Sequence, residues 1–183
     1  ILNNAAVSDA VISENAIVYD NAEIYGNVNL YGKAKVHGNV KIYDEAKIYD
    51  RASIFGNAVI SGSSRIHGTA SIFGKAEIKD KAEVYENSSV CGETLISGNA
   101  KIYGYAQVLG NSQIKDNAEV REYEVVNDGI VQGNVKLPKE IRISSSTKTV
   151  DLVENTEILE QKNVIEAEQS KDISDKSNDP EIK

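Results

Sequence analysis

The sequence predicts an all-β solenoid built of short strands. Three observations carry that expectation. A six-residue repeat runs unbroken from Ala10 to Tyr123, every repeat has a large aliphatic residue at one fixed position, and a small residue stands two places before it. The typical unit is Ala-x-Ile-x-Gly-Asn. Nineteen consecutive hexads contain no insertion, no deletion and no proline. Self-similarity at a fixed period marks a repeat architecture in which each unit packs only on its neighbours.

The large position reads Ile12, Val18, Ile24, Leu30, Val36, Ile42, Ile48, Ile54, Ile60, Ile66, Ile72, Ile78, Val84, Val90, Ile96, Ile102, Val108, Ile114 and Val120. The small position runs from Ala10, Ala16, Ala22 and Val28 to Ala118 and holds only Ala, Val, Ser or Thr. Residues i and i+2 of a strand face the same way. Each hexad is therefore a short strand that points one large and one small side chain inward. The next two positions make a corner. The first is Gly, Asp or Glu, as in Gly26, Gly32, Gly56 and Gly62. The second is most often Asn, as in Asn21, Asn39, Asn57, Asn99 and Asn117. Gly and Asn are the residues that tolerate a left-handed backbone at a bend.

Segments such as Ile24-Tyr25-Gly26-Asn27-Val28 and Ile54-Phe55-Gly56-Asn57-Ala58 make the chain resemble the hexapeptide-repeat superfamily over about two-thirds of its length. The resemblance implies a single-stranded left-handed parallel β-helix of triangular section, with three hexapeptides per coil. Most parallel crossovers are right-handed, so the handedness comes from the resemblance alone. Residues i and i+18 are then expected to stack about 4.8 Å apart, the usual strand spacing.

Composition agrees with a thin core. The 183 residues hold no Trp, two Phe and nine Tyr. Burying each Ile or Val stabilises by roughly 1.5–3 kcal/mol, against a backbone ordering cost of about 1–2 kcal/mol per residue. Only continuous stacking of rungs makes that balance favourable. No apolar run approaches the length of a membrane span, and no signal peptide is visible. The single Cys91 excludes an internal disulfide and leaves the redox compartment open. The net charge of −8 is uneven, because residues 151–183 hold ten acids and four lysines. The rod is therefore not a basic nucleic-acid binder.

Three divisions are expected: a β-helix over 1–126, a short irregular cap of strands over 127–153, and an acidic helix or linker-like tail over 154–183. Residues 1–6 make a good hexad, and the next, from Val7, is one residue short. The chain starts in mid-pattern without Met, so a piece of a longer protein is expected. Asn127-Asp128-Gly129 is a turn signal. Val131–Leu137 reads as a last, out-of-phase rung stopped by Pro138. Residues 140–144 and 149–153 alternate like strands that could cover the end. Residues 154–170 could form a marginal helix, and 171–183 read as linker.

The resemblance implies an acyltransferase as one function, usually trimeric, with a histidine base and a loop that interrupts the helix. His37 and His67 are the only histidines. Both follow the inward aliphatic residue, on different corner columns, with Lys35 and Arg65 as sequence neighbours rather than a carboxylate. A base needs an orienting partner, and a histidine at this position is more often a surface-column residue. The γ-class carbonic anhydrases share the fold and hold zinc through three histidines, which two cannot supply, so no metal is expected. Cys91 has no nearby Cys or His and reads as packing. Asn87-Ser88-Ser89 is a common chance match to a glycosylation signal. Ice binding needs a ladder of Thr-like groups, and only Thr69 and Thr94 lie in the rungs.

Stacking the corners at 18-residue spacing yields three columns. Tyr19, His37, Phe55, Phe73, Cys91 and Leu109 form the least polar one, a candidate protein interface. The bland alternative is that stacked rings only shield the corner. A second column runs Ser13, Tyr31, Tyr49, His67, Tyr85, Tyr103 and Arg121, and its tyrosines could face a glycan. A third runs Tyr25, Tyr43, Ser61, Lys79, Ser97 and Lys115. The expected role is a non-catalytic structural, oligomerisation or protein-interaction module of a larger microbial protein, without a cofactor. Its partner would be another protein or further copies of the chain, a trimer included. The alternatives are a trimeric acyltransferase of the acetyl-CoA type, with His37 or His67 as base, and a glycan-binding adhesin or tail-fibre segment.

Overall fold

The computed structural model describes residues 3–137, 139, 141–144 and 150–151. The described residues form a parallel β-helix of triangular section. Their strands, most of them two residues long, fall into three sheets of nine, seven and eight strands. The first sheet begins with Ala6–Ser8, Glu23–Tyr25, Lys41–Ile42 and Val59–Ile60. The second begins with Val11–Ile12, Asn29–Leu30 and Lys47–Ile48. The third begins with Ile17–Val18, Lys35–Val36 and Ser53–Ile54. Every pairing is parallel, and through the regular rungs each residue pairs with its equivalent three hexads on: Ile42 with Ile60, Ile48 with Ile66, and Ile54 with Ile72.

The inward pattern is as expected. From Val18 to Val120 every large position is fully buried, and the small positions from Ala22 to Ala118 are buried too. Ala10, Ile12 and Ala16, in the first coil, are only half-buried. The register also shows the two expected slips. Val7 pairs with Ile24, one place short of a full coil, because the hexad from Val7 is one residue short. Ile114 pairs with Val131, again one place short, because the turn at Asn127–Gly129 drops a residue. Val135 and Leu137 are buried, so the out-of-phase rung is real. Arg142–Ile143 and Val150–Asp151 then add parallel strands to the third and first sheets. The expected helix over 154–170 and the tail over 171–183 lie outside the described residues.

The corners depart from the expectation in one respect. The left-handed residue is the first corner position throughout, whether Gly, Asp or Glu, and from Glu14 onward it is never the Asn that follows. The Asn side chains do something else: they bond to one another along the axis. Asn21 Nδ2 donates to Asn39 Oδ1 at 3.2 Å, Asn39 to Asn57 at 3.1 Å, and Asn99 to Asn117 at 3.0 Å.

The left-handed residues follow a rule of their own. Between the first and second sheets they read Gly26, Asp44, Gly62, Asp80, Gly98, Asp116, Gly133. Between the second and third they read Glu14, Gly32, Asp50, Gly68, Glu86, Gly104, Glu122. Acid and glycine alternate, and the carboxylate accepts the N–H of the glycine one coil later. Asp44 takes Gly62 N–H at 2.9 Å, Asp80 takes Gly98 at 2.8 Å, and Glu86 takes Gly104 at 2.8 Å. The glycine is required by contact as well as by dihedral. A Cβ on Gly62 would sit 2.6 Å from the carbonyl oxygen of Asp80.

Gly133 has the same kind of backbone, with φ of 84°, but among the described residues a Cβ there would meet nothing within 4 Å. Gly133→Ala should therefore cost only the left-handed conformation, about 1–2 kcal/mol. Gly62→Ala adds steric overlap with a neighbouring backbone, for a further loss of about 1–3 kcal/mol. Urea midpoints of the two variants are expected to rank in that order. Equal midpoints would show that the corners can move apart at no cost.

Candidate functional site

The two aromatic columns form as the repeat register requires. Between the third and first sheets, Tyr19 stacks on His37 at 4.7 Å, His37 on Phe55 at 5.3 Å, and Phe55 on Phe73 at 4.9 Å, all with nearly parallel ring planes. Cys91 and Leu109 continue that line, and all six residues are half-buried rather than fully outward. Burial pushes the Cys91 thiol up, which disfavours the reactive thiolate. Between the second and third sheets, Tyr31, Tyr49, His67, Tyr85 and Tyr103 form a continuous stack with centroids 4.6–5.0 Å apart. The two histidines occupy different columns, as expected.

Stacking has a geometric consequence. Each interior ring has both faces covered by its neighbours, so the columns offer ring edges and polar tips to solvent. Such pairs contribute about 0.5–1.5 kcal/mol beyond their burial. Tyr105 and Tyr123 make a further stack at 5.0 Å, with 52% and 65% exposure. They stand at the corner position where Asn is the commonest residue, and the sequence columns did not single them out.

The expectation that neither histidine meets a carboxylate is corrected by the structure. His67 Nε2 lies 3.2 Å from Glu83 Oε1, and Nδ1 lies 3.9 Å from Asp50 Oδ2. His37 Nδ1 lies 3.7 Å from Asp20 Oδ2. Glu83 belongs to the following coil, so a search of immediate sequence neighbours misses it. Arg65 Nη2 joins the same Glu83 oxygen at 3.0 Å. Around these groups a groove of about 410 Å³ crosses the second sheet, lined by Lys47, Arg65, Lys81, Glu83 and Lys101 among others.

At the far end of the tyrosine column, Tyr103 Oη donates to Glu119 Oε2 at 2.9 Å, and Lys136 Nζ reaches the same oxygen at 2.9 Å. Burial alone would raise the Glu119 carboxyl, but the bonds from Lys136 and Tyr103 more than cancel it and leave it below its ordinary value. Burial also pushes the Tyr85 and Tyr103 hydroxyls up to about 12, Glu83 adding to the first and the Glu119 hydrogen bond to the second.

Among the described residues, no group of three or more His, Cys, Asp or Glu could hold a metal ion, and no helix is long and apolar enough to cross a membrane. No family model, no curated protein and no solved structure matches the chain.

The tyrosine shifts fix an alkaline limit. The folded chain keeps two protons up to about 12 that the unfolded chain loses near 10.0, so stability falls as pH rises across that window. Absorbance titration should show Tyr85 and Tyr103 ionising at about 12, with Tyr49, also raised by burial, ionising late as well. Tyr85→Phe with Tyr103→Phe should remove most of the loss of stability between those values. Glu119→Gln should lower Tyr103 only part of the way, since burial is the larger cause. A full return to 10.0 would contradict this.

Proposed function

We propose that the chain is a non-catalytic β-solenoid module, a rigid structural or protein-interaction element of a larger protein. The observation that carries this reading is the axial use of its polar and aromatic groups. Amides bond to amides, carboxylates to corner N–H groups, and rings to rings, each one coil away. Side chains so engaged set the spacing of coils and stiffen the rod. The repeat pattern supports kinship with the hexapeptide-repeat superfamily and, with it, a left-handed coil. The column of Tyr19, His37, Phe55, Phe73, Cys91 and Leu109 is the least polar corner and is our choice for a contact surface with a protein partner or another copy.

One observation favours a second reading, an acyltransferase. His67 has a carboxylate partner in Glu83 at 3.2 Å, the arrangement a general base needs. Against it, the ring is held between Tyr49 and Tyr85, so only its edge can meet a substrate. A glycan reading loses its main support for the same reason, because ring faces that cover one another cannot stack on a sugar.

Light scattering with acetyl-CoA titrated into the sample separates the first two readings. The expected result is a mass that does not change with cofactor, and no acetyl transfer. A trimer that binds acetyl-CoA, with transfer abolished in His67→Ala or His37→Ala, would replace the structural reading by the enzymatic one. The contact surface has its own check. Phe55→Ser with Phe73→Ser should weaken self-association or partner binding at least tenfold while the coil stays folded. Unchanged assembly and binding would reduce the column to packing.

A further inference from the structure

Nineteen hexads place Ala, Val, Ser or Thr at the small inward position; the twentieth places Glu124 there. The side chain has nowhere else to go. Glu124 is 0% exposed, and its backbone is fixed on both sides. Its carbonyl accepts Gln107 N–H at 2.9 Å, and its N–H donates to Arg121 O at 3.1 Å. The next residue, Val125, donates to Ile141 O at 3.0 Å, which is the link to the strand Arg142–Ile143.

The carboxyl is only partly satisfied. Oε2 accepts the Arg121 N–H at 2.7 Å. Oε1 is buried with no hydrogen-bond partner among the described residues, and so is Nε of Arg121. Ser88, at the same position two coils earlier, needs no such compromise, since its hydroxyl donates to Tyr85 O at 2.7 Å. A protonated carboxyl is a neutral side chain that this site can hold. An ionised one is a buried charge without full compensation, which is costly.

Glu124 lies where the regular register ends. One coil later the spacing shortens by one place, and the strand Arg142–Ile143 rests on Val125–Asn127. We propose that Glu124 is a protonation latch for the final coil: neutral, it holds the strand Arg142–Ile143 against Val125–Asn127, and ionised, it releases that strand while the preceding rungs stay closed.

The charged groups around the latch act in both directions. Burial is the largest influence and pushes the Glu124 carboxyl up to about 7. The Arg121 backbone N–H and guanidinium favour the ionised form, and Glu122 and Glu119 oppose it. The strand Gln107–Leu109 brings no charged side chain. Arg142, on the strand that is released, is exposed. Glu119 is itself tied to Lys136 at 2.9 Å. Linkage sets the sign. Between the ordinary value of 4.5 and about 7, the closed coil keeps a proton that the open coil loses. Closure is therefore strongest at acidic pH, weakens by up to about tenfold per pH unit through that window, and changes little above it.

Hydrogen exchange of individual amides tests the latch on the whole chain. After correction for the intrinsic rate, protection of the Val125 amide should fall at least tenfold between pH 5 and pH 8. Protection of the Val59 amide, which donates to Ala76 O in mid-rod, should hold. In Glu124→Gln, Val125 protection should lose its pH dependence. Glu124→Ala restores the commonest residue of this position and should do the same, which keeps the test open if the glutamine variant folds poorly. A wild-type Val125 amide equally protected at both pH values would overturn the proposal. So would a pH dependence that survives both substitutions.

Discussion

The structure depends on returning the chain, after every third hexad, to a point one strand spacing further along its axis. Three short strands and three corners must do this, and the corners carry the constraint. Each corner turns on a residue in the left-handed region, whose side chain is directed toward the backbone of the next coil. Two side chains stacked at successive left-handed positions would collide with that backbone. From Glu14 to Gly133 the chain avoids this everywhere. At two corners it alternates an acid with a glycine. At the third, Gly38, Gly56, Gly74, Gly92 and Gly110 follow one another with no side chain at all. The alternation also satisfies the exposed N–H of every second corner, which a run of bare glycines does not. The true period of the molecule along these two corners is therefore two coils, although the hydrophobic pattern repeats with every hexad.

The same constraint explains why the surface looks organised. A spacing close to strand separation suits a face-to-face ring contact, an amide-to-amide bond and a carboxylate-to-lysine bond equally well. Any residue at a fixed place in the hexad meets the residue at the same place one coil away. Ladders of Tyr, Asn and ion pairs then follow from the repeat itself, before any function is considered. This bears on how His67 is interpreted. Its ring contacts with Tyr49 and Tyr85 follow from its place in the column, and its bond to Glu83 has a counterpart in that of Tyr103 to Glu119.

Most of the fold was legible in the sequence because the information is local and repeated. Inward positions, stack partners and both single-place slips follow from counting in hexads and whole coils. The left-handed role of Asp and Glu was not, since residue preference alone favours Asn at such a bend. The preference is overridden because the acid gains a backbone N–H to bond one coil away. The partners of His37 and His67 were also hidden. They sit one or two places short of a full coil away, on the adjacent strand or corner, where a count down each column does not look. Glu124 was visible as a letter but not as a buried one, because an acid in place of a small apolar residue looks like the end of the repeat. The residue that breaks a repeat is most informative when it still occupies the repeat's geometry.

A solenoid also limits how far any local event can spread. Each rung touches only the rungs before and after it, so free energy is a sum of short-range terms along one axis. In a compact globule, a buried charge without full compensation would be felt by the whole core. Here its cost falls on the interface between one coil and the next. The rungs from Ala22 to Val120, closed by fully buried Ile and Ala and by unbroken ladders, are insulated from what happens at Glu124. A rod of this kind can therefore keep its middle rigid while one end responds to its surroundings. That division suits the structural role proposed above.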